Sequence, residues 1–124
     1  MDERRFKERT KQVALRVIRL VESLPKSRSA DVLGKQLLRS ATSVGANDRA
    51  ACRGKSTADV IAKLSIVEEE ADESIYWIEL LVDGGFLREA VTKDLQAETN
   101  EIVAMTVASI KTLRARTPVP QSKI

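Results

Sequence analysis

The sequence contains no histidine and a single cysteine, Cys52. The first absence removes the commonest general base and the commonest metal ligand. The second rules out an intrachain disulfide. Aromatic residues make up only 3% of the chain. Strands favour aromatic and β-branched side chains, whereas this chain favours Ala, Leu, Glu, Arg and Lys, so an all-α fold is expected. No apolar run approaches the roughly 18 residues that a membrane span needs. The charged opening MDERRFKERTKQ leads into no signal-peptide core. A cytoplasmic protein with no membrane partner is the expectation. A Gly-rich phosphate loop is missing too, because Gly45 and Gly54 fall in or at the end of a helical segment with no strand before them.

What is present suits one helical domain. Hydrophobic residues make up 43% of the 124-residue chain and charged residues 31%, enough for a core and a solvated surface. The formal net charge is only +3, but its distribution is uneven. Residues 1–56 carry a net charge of +8, residues 57–87 a net of −7, and residues 88–124 a net of +2. An acidic element set against a basic remainder serves contacts within the fold, contacts between subunits, or binding of a polyanion.

Proline and glycine punctuate the chain at Pro25, Gly54, Gly84-Gly85, Pro118 and Pro120. Four periodic segments lie between them. The first helix is expected from Asp2 to Leu24, with Phe6, Val13, Val17, Leu20, Val21 and Leu24 on one face. The second runs from Ala30 to Arg53, with Leu33, Leu37, Ala41, Val44 and Ala51 inward. The third begins at a Ser56 or Thr57 cap and presents Val60, Leu64, Val67, Ala71, Ile75, Ile78 and Val82. The fourth runs from Arg88 to Arg116, with Val91, Leu95, Ile102, Met105 and Leu113 inward. Short connections between helices of similar length predict an up-down-up-down antiparallel four-helix bundle over residues 1–117 and a flexible C-terminal tail at 118–124.

Two places do not fit a plain bundle. On the second helix, Lys35, Arg39, Arg49 and Arg53 gather within about 40° of the direction opposite Val44, with small residues between them. Such a stripe reads as a solvated face, as a phosphate-binding surface, or as a seam that a helix of another subunit approaches. Asn47 and Asp48 turn toward the core and need partners there. Antiparallel pairing would bring Asp48 near Lys63, a structural pair setting the register of two helices. On the third helix, EEEADESIYWIELL (residues 68–81) is apolar almost all round toward its C-terminus. A helix of that kind is buried on more than one side, which predicts oligomerisation through Ile66, Glu70, Glu73, Tyr76, Trp77 and Leu80. The acids are spread around the helix, so no metal site, cofactor or catalytic residue is expected. Cys52, with no histidine to activate it, reads as a small buried hydrophobe.

SATSVGANDRAACRGKS, followed by KLSIVEEEADESIYWIELL, resembles the bacterial four helix bundle protein family, whose founding members are encoded by intervening sequences in 23S ribosomal RNA genes. The likeness runs from Phe6 to Arg114. It rests on the Arg-x-x-x-Arg-x-x-Ser pattern of Arg49, Arg53 and Ser56, and on Glu69, Glu70, Asp72 and Glu73 leading to Trp77. Asp48 departs from the pattern, standing where a bulkier aromatic is expected. The resemblance implies a ring-shaped homopentamer with no enzymatic activity. It also implies kinship with accessory proteins of diversity-generating retroelements, which bind nucleic acid through a basic surface and associate with a reverse transcriptase.

Two functions are therefore expected. The first is a non-enzymatic oligomeric bundle that binds RNA or DNA through Lys35, Arg39, Arg49 and Arg53, with Arg16 and Arg19 as outlying support. The second is an oligomeric scaffold for a protein partner, its second-helix arginines used in ion pairs between subunits.

Overall fold

The computed structural model describes residues 2–116. The tail expected at 118–124 lies outside the described residues. Within them the chain forms four helices, α1 (Glu3–Glu22), α2 (Arg28–Cys52), α3 (Thr57–Asp83) and α4 (Glu89–Arg116), with no strand. Sequential helices pack against each other and α4 returns to α1, giving the expected four-helix bundle. The α2–α3 seam is the most extensive and the α1–α4 seam the slightest.

The helix starts are set by local chemistry. Asp2 Oδ1 accepts from the backbone N–H of Arg4 at 3.0 Å and of Arg5 at 3.3 Å. Ser27 Oγ accepts from Ala30 N–H at 3.0 Å and Ser56 Oγ from Asp59 N–H at 3.1 Å. Each satisfies a donor that the first helical turn leaves unpaired. Asp59 Oδ2 in turn accepts from Lys55 N–H at 3.1 Å, so the start of α3 is fixed from both sides. The end of α3 is equally specific. Phe86 N–H reaches Leu81 O at 2.9 Å and Gly85 N–H reaches Val82 O at 3.0 Å. This pattern requires a left-handed residue, which Gly85 supplies at φ 83°.

The core is built from the expected stripes with one shift on α3, where Leu81 is buried and the expected Ile75 and Val82 are half-buried. Phe6, Val13, Val17 and Leu20 of α1 meet Leu37, Ala41 and Val44 of α2, Val67, Ala71, Ile78 and Leu81 of α3, and Leu95 and Ile102 of α4. Ala51, Leu64 and Ile110 form a second, smaller cluster. Asp48, one turn from both Val44 and Ala51, sits on α2 between the two clusters.

Val91 is a correction. It is 51% exposed, and the inward stripe of α4 is Thr92, Leu95, Thr99, Ile102, Thr106 and Ile110. The threonines are buried because each hydroxyl bonds back to its own helix. Thr92 donates to Glu89 O at 3.1 Å, Thr99 to Leu95 O at 2.7 Å and Thr106 to Ile102 O at 2.7 Å. With the polar atom satisfied, the methyl group packs like that of valine. Thr10 of α1 behaves in the same way, donating to Lys7 O at 3.0 Å.

Candidate nucleic-acid interface

The basic face of α2 is present, but its four members differ in state. Lys35 is exposed, and its Nζ lies 3.1 Å from Asp31 Oδ2 one turn earlier. Arg39 is half-exposed and held by α3, with Nη1 donating to Glu70 Oε2 at 3.0 Å and Nη2 to Glu73 Oε1. Its Nε also donates to Gln36 Oε1 at 3.2 Å. Arg49 and Arg53 are exposed and make no ion pair among the described residues. The face thus has a neutralised N-terminal part and an open C-terminal part ending at the α2–α3 turn.

Gly54 makes that turn close. A Cβ there would lie 2.4 Å from Val60 Cγ2 and 3.1 Å from Ala51 O, so only glycine lets α3 begin so near the end of α2. The close approach places Arg53 beside the first turn of α3. Of the outlying arginines, Arg16 is half-buried and Arg19 exposed. Both border a shallow depression between α1 and α4, away from α2.

The residues expected at a subunit interface are divided as well. Tyr76 is 52% exposed, and its ring centroid lies 5.3 Å from that of Trp77 at a tilt of 57°. Ile66, Trp77 and Leu80 are half-buried within the single chain. Glu70 and Glu73 are engaged by Arg39, and Trp77 Nε1 donates to Glu73 Oε1 at 3.1 Å. Arg39, Glu73 and Trp77 therefore form one chain of hydrogen bonds at the surface of the α2–α3 seam. Beneath it Ser40 Oγ and Ser74 Oγ lie 2.7 Å apart, both buried.

Asp48 is buried as expected, but the expected pair with Lys63 does not form. Asp48 Oδ2 has no hydrogen-bond partner among the described residues. Burial pushes its carboxyl up to about 6, with Lys7 drawing it down, Glu3 adding to the rise and Arg49 again opposing it. Asn47, its neighbour, is satisfied on its own helix by donating to Ser43 O and Ser43 Oγ, both at 2.9 Å. Cys52 is half-buried. Burial pushes its thiol up, and the nearby Asp48 carboxylate adds to the rise. That direction disfavours a thiolate nucleophile. Among the described residues, no group of three His, Cys, Asp or Glu side chains is placed to hold a metal ion. No described helix is long and apolar enough to cross a membrane.

One polar cluster lies outside every expectation from the sequence. Arg9 of α1 crosses to α4, its Nε donating to Glu98 Oε2 at 3.0 Å and its Nη2 to Glu98 Oε1 at 2.6 Å. Nη2 also lies 3.0 Å from Glu101 Oε1, and Nη1 points at Met105 Sδ at 3.1 Å. The guanidinium holds Glu98 below the usual carboxylate range, and the two carboxylates raise Arg9. A partner 89 positions away leaves no trace in local periodicity. The only signal is three charges on the facing edges of the first and last helices.

Comparison with known proteins agrees with this architecture. A family model described as 23S rRNA-intervening sequence protein matches residues 3–108. Among solved structures, the chain is similar to a protein of unknown function from the S23 ribosomal protein family of Bacteroides thetaiotaomicron VPI-5482. The two are 35% identical, with a TM-score of 0.80, over 86% of this chain and 98% of the other. No curated protein matches.

Proposed function

Since the chain belongs to the 23S rRNA-intervening sequence protein family, we propose that it is a non-enzymatic, oligomeric four-helix bundle that binds RNA or DNA through the basic face of α2. The observation that carries this reading is the state of Arg49 and Arg53, exposed on successive turns and held in no ion pair among the described residues. A guanidinium fork matches phosphate oxygens, and two of them one turn apart can engage neighbouring phosphates. Lys35 extends the positive field. Arg39 contributes less, because a phosphate must displace Glu70 and Glu73. Helix α2 carries no aromatic residue, so binding rests on charge rather than on base stacking. It is weakly sequence-specific and strongly salt-dependent.

The assembly is a cytoplasmic homo-oligomer, pentameric as the resemblance implies, in which exposed Tyr76 anchors the contact between copies. Its role is accessory to a protein that processes nucleic acid, such as a reverse transcriptase.

A second reading has its own observation. Glu69, Asp72 and Glu79 of α3 are exposed and make no ion pair among the described residues. In a ring, the acids of one copy can meet Arg49 and Arg53 of the next, a heterologous contact that closes on itself. The protein would then be a scaffold for a protein partner.

One experiment separates the two. Generic labelled RNA and duplex DNA are titrated across a salt series against wild type and an Arg49→Ala/Arg53→Ala double variant, with native mass measured on both. A steep salt slope in wild type, abolished in a variant of unchanged mass, supports the nucleic-acid reading. No binding by wild type, with a variant that falls apart, overturns it in favour of the scaffold.

A further inference from the structure

Among the described residues, one end of the bundle is not filled. The N-terminus of α1, the C-terminus of α2, the N-terminus of α3 and the C-terminus of α4 line a solvent-open cavity of about 370 Å³. Its α3 wall is apolar, formed by Val60 and Leu64, and Leu113 of α4 continues it. Asp48 lies on the inner wall. Glu3 and Arg116 also line the cavity, both exposed. This space lies apart from Tyr76 and from the outward side of α2, and neither reading of the basic face uses it.

Asp48 is the unusual element. The residue is 3% exposed, and its Oδ2 is reached by no donor among the described residues. A desolvated carboxylate without a donor is costly. The charged groups acting on it come from two helices, Lys7 and Glu3 from α1 and its neighbour Arg49 from α2. Arg116 lines the cavity from α4, while the α3 residues that line it carry no charge. Lys7 and Arg49 favour the ionised form, but neither makes an ion pair with it. The lining carboxylates, Asp48 and Glu3, outnumber the one lining cation, Arg116.

We propose that this cavity binds a small organic cation, a primary amine or amidinium carried on a compact apolar body, with Asp48 as its counter-ion. The cationic head pairs with the Asp48 carboxylate where that residue lines the cavity, and the body packs on Val60, Leu64 and Leu113. The volume lies at the lower end of the usual range for small-ligand sites, roughly 300–1,000 Å³, and suits a single ring or a short branched chain. A metal ion is a poor match, since Asp48, Glu3 and Cys52 line the cavity but no three such side chains among the described residues are placed to hold one. A neutral ligand would leave the carboxylate charge unmatched. The site is independent of the nucleic-acid reading.

The test uses the full chain at pH 7.5, with benzylamine and its neutral isostere benzyl alcohol as probes, followed by calorimetry and by amide chemical shifts. Benzylamine is expected to saturate with a dissociation constant in the range of about 0.1–1 mM, and benzyl alcohol to bind at least tenfold more weakly. Asp48→Asn should lose at least tenfold in benzylamine affinity with its helicity and mass unchanged. Ala108→Phe, a change at an exposed residue of the cavity wall, should block both probes. Benzylamine affinity should also fall as pH is lowered through about 6, where Asp48 takes up a proton. Equal affinity for amine and alcohol, equal affinity of wild type and Asp48→Asn, or no saturation by about 10 mM benzylamine would each overturn the proposal and leave a water-filled cavity only.

Discussion

Arg39 of α2 and Glu70 of α3 face each other across the largest seam of the bundle, Nη1 to Oε2 at 3.0 Å, and Glu73 accepts from the same guanidinium. This pairing divides a basic stripe that looks uniform in sequence. Arg39 is tied to acids of its own chain, while Arg49 and Arg53, further along the helix, are not. The division also involves Trp77, whose Nε1 shares Glu73 with Arg39. A ligand that draws Arg39 away would therefore loosen Trp77 as well.

The stripe should not respond evenly to mutation. Arg49→Ala is expected to reduce the salt slope of nucleic-acid binding by about 1, because one phosphate is no longer neutralised. Arg39→Ala should reduce it by clearly less. The ranking reverses for stability. Arg39→Ala should cost up to about 1 kcal/mol in urea unfolding, the upper range for a partly exposed pair, and Arg49→Ala nearly nothing. Equal slopes for the two variants would show that Arg39 is as available as Arg49.

Arg9 closes the slightest seam, α1 against α4, through a two-pronged contact with Glu98 and a third with Glu101. Arg9→Ala should cost about 1–2 kcal/mol in urea unfolding. Arg9→Lys should recover less than half, since an ammonium cannot donate in parallel to both oxygens. The pH dependence has a defined sign. Glu98 is held below its ordinary range in the folded chain, so its contribution is present above about pH 4 and lost as pH falls through the folded value. The gap between wild type and Arg9→Ala should narrow under acid.

Much of the fold is legible in the sequence because its determinants are local. Pro25, the Ser56 cap and Gly84-Gly85 set the helix ends within one or two residues, whereas α2 starts two residues before the expected Ala30 because Ser27 caps it. The apolar stripes of α1 and α2 and the Leu64, Val67, Ala71 and Ile78 part of α3 are legible for the same reason. The α4 stripe departs from expectation at Val91 because apolar periodicity counts threonine as polar. Thr92, Thr99 and Thr106 satisfy their hydroxyls within the helix and bury their methyls. The site is less legible. That Asp48 faces inward follows from helical spacing. That Lys63 does not pair with it depends on the register between helices, which no single-helix pattern contains. The Arg39 and Arg9 contacts have the same origin, and the cavity exists only where four helix ends meet.

The two turn glycines should fail for different reasons. Gly85→Ala places a side chain at φ 83°, at a cost of about 1 kcal/mol. Nothing lies within 4 Å of the added Cβ, so no neighbouring truncation should rescue it, whereas Asn, more tolerant of this region, should cost less. Gly54→Ala is expected to cost more than Gly85→Ala, because its Cβ collides with Val60. Val60→Ala should relieve part of that loss in a double-mutant cycle. Thermal unfolding of the four single variants and one double variant checks the argument.

Tyr76 offers an assay of assembly that leaves the chain folded. It is 52% exposed, so Tyr76→Arg should change monomer stability by less than about 0.5 kcal/mol. The same change at the centre of a subunit contact would bury an unpaired charge. Native mass should therefore shift toward smaller species with helicity retained. Unchanged mass would remove Tyr76 from the interface.

Asp48 gives the last prediction, in the pH dependence of stability. Its carboxyl is pushed up to about 6 in the folded chain, above the value of about 3.9 in an unfolded one. Between these values the folded state binds more protons than the unfolded state, so stability falls as pH rises through the window. Asp48→Asn has no proton to lose and should not show this fall. The two proteins should have similar stability near pH 4. The variant should then gain on wild type between pH 4 and 6 and keep an advantage on the order of 3 kcal/mol at pH 7 and above. Urea unfolding at a series of pH values measures the difference directly. A constant offset from pH 4 to 8 would mean that Asp48 titrates normally and that its Oδ2 finds a donor in solution. A saturating amine, if it pairs with Asp48, should raise wild-type stability above pH 6 and leave Asp48→Asn unmoved, because only the ionised carboxylate has a charge to offer it.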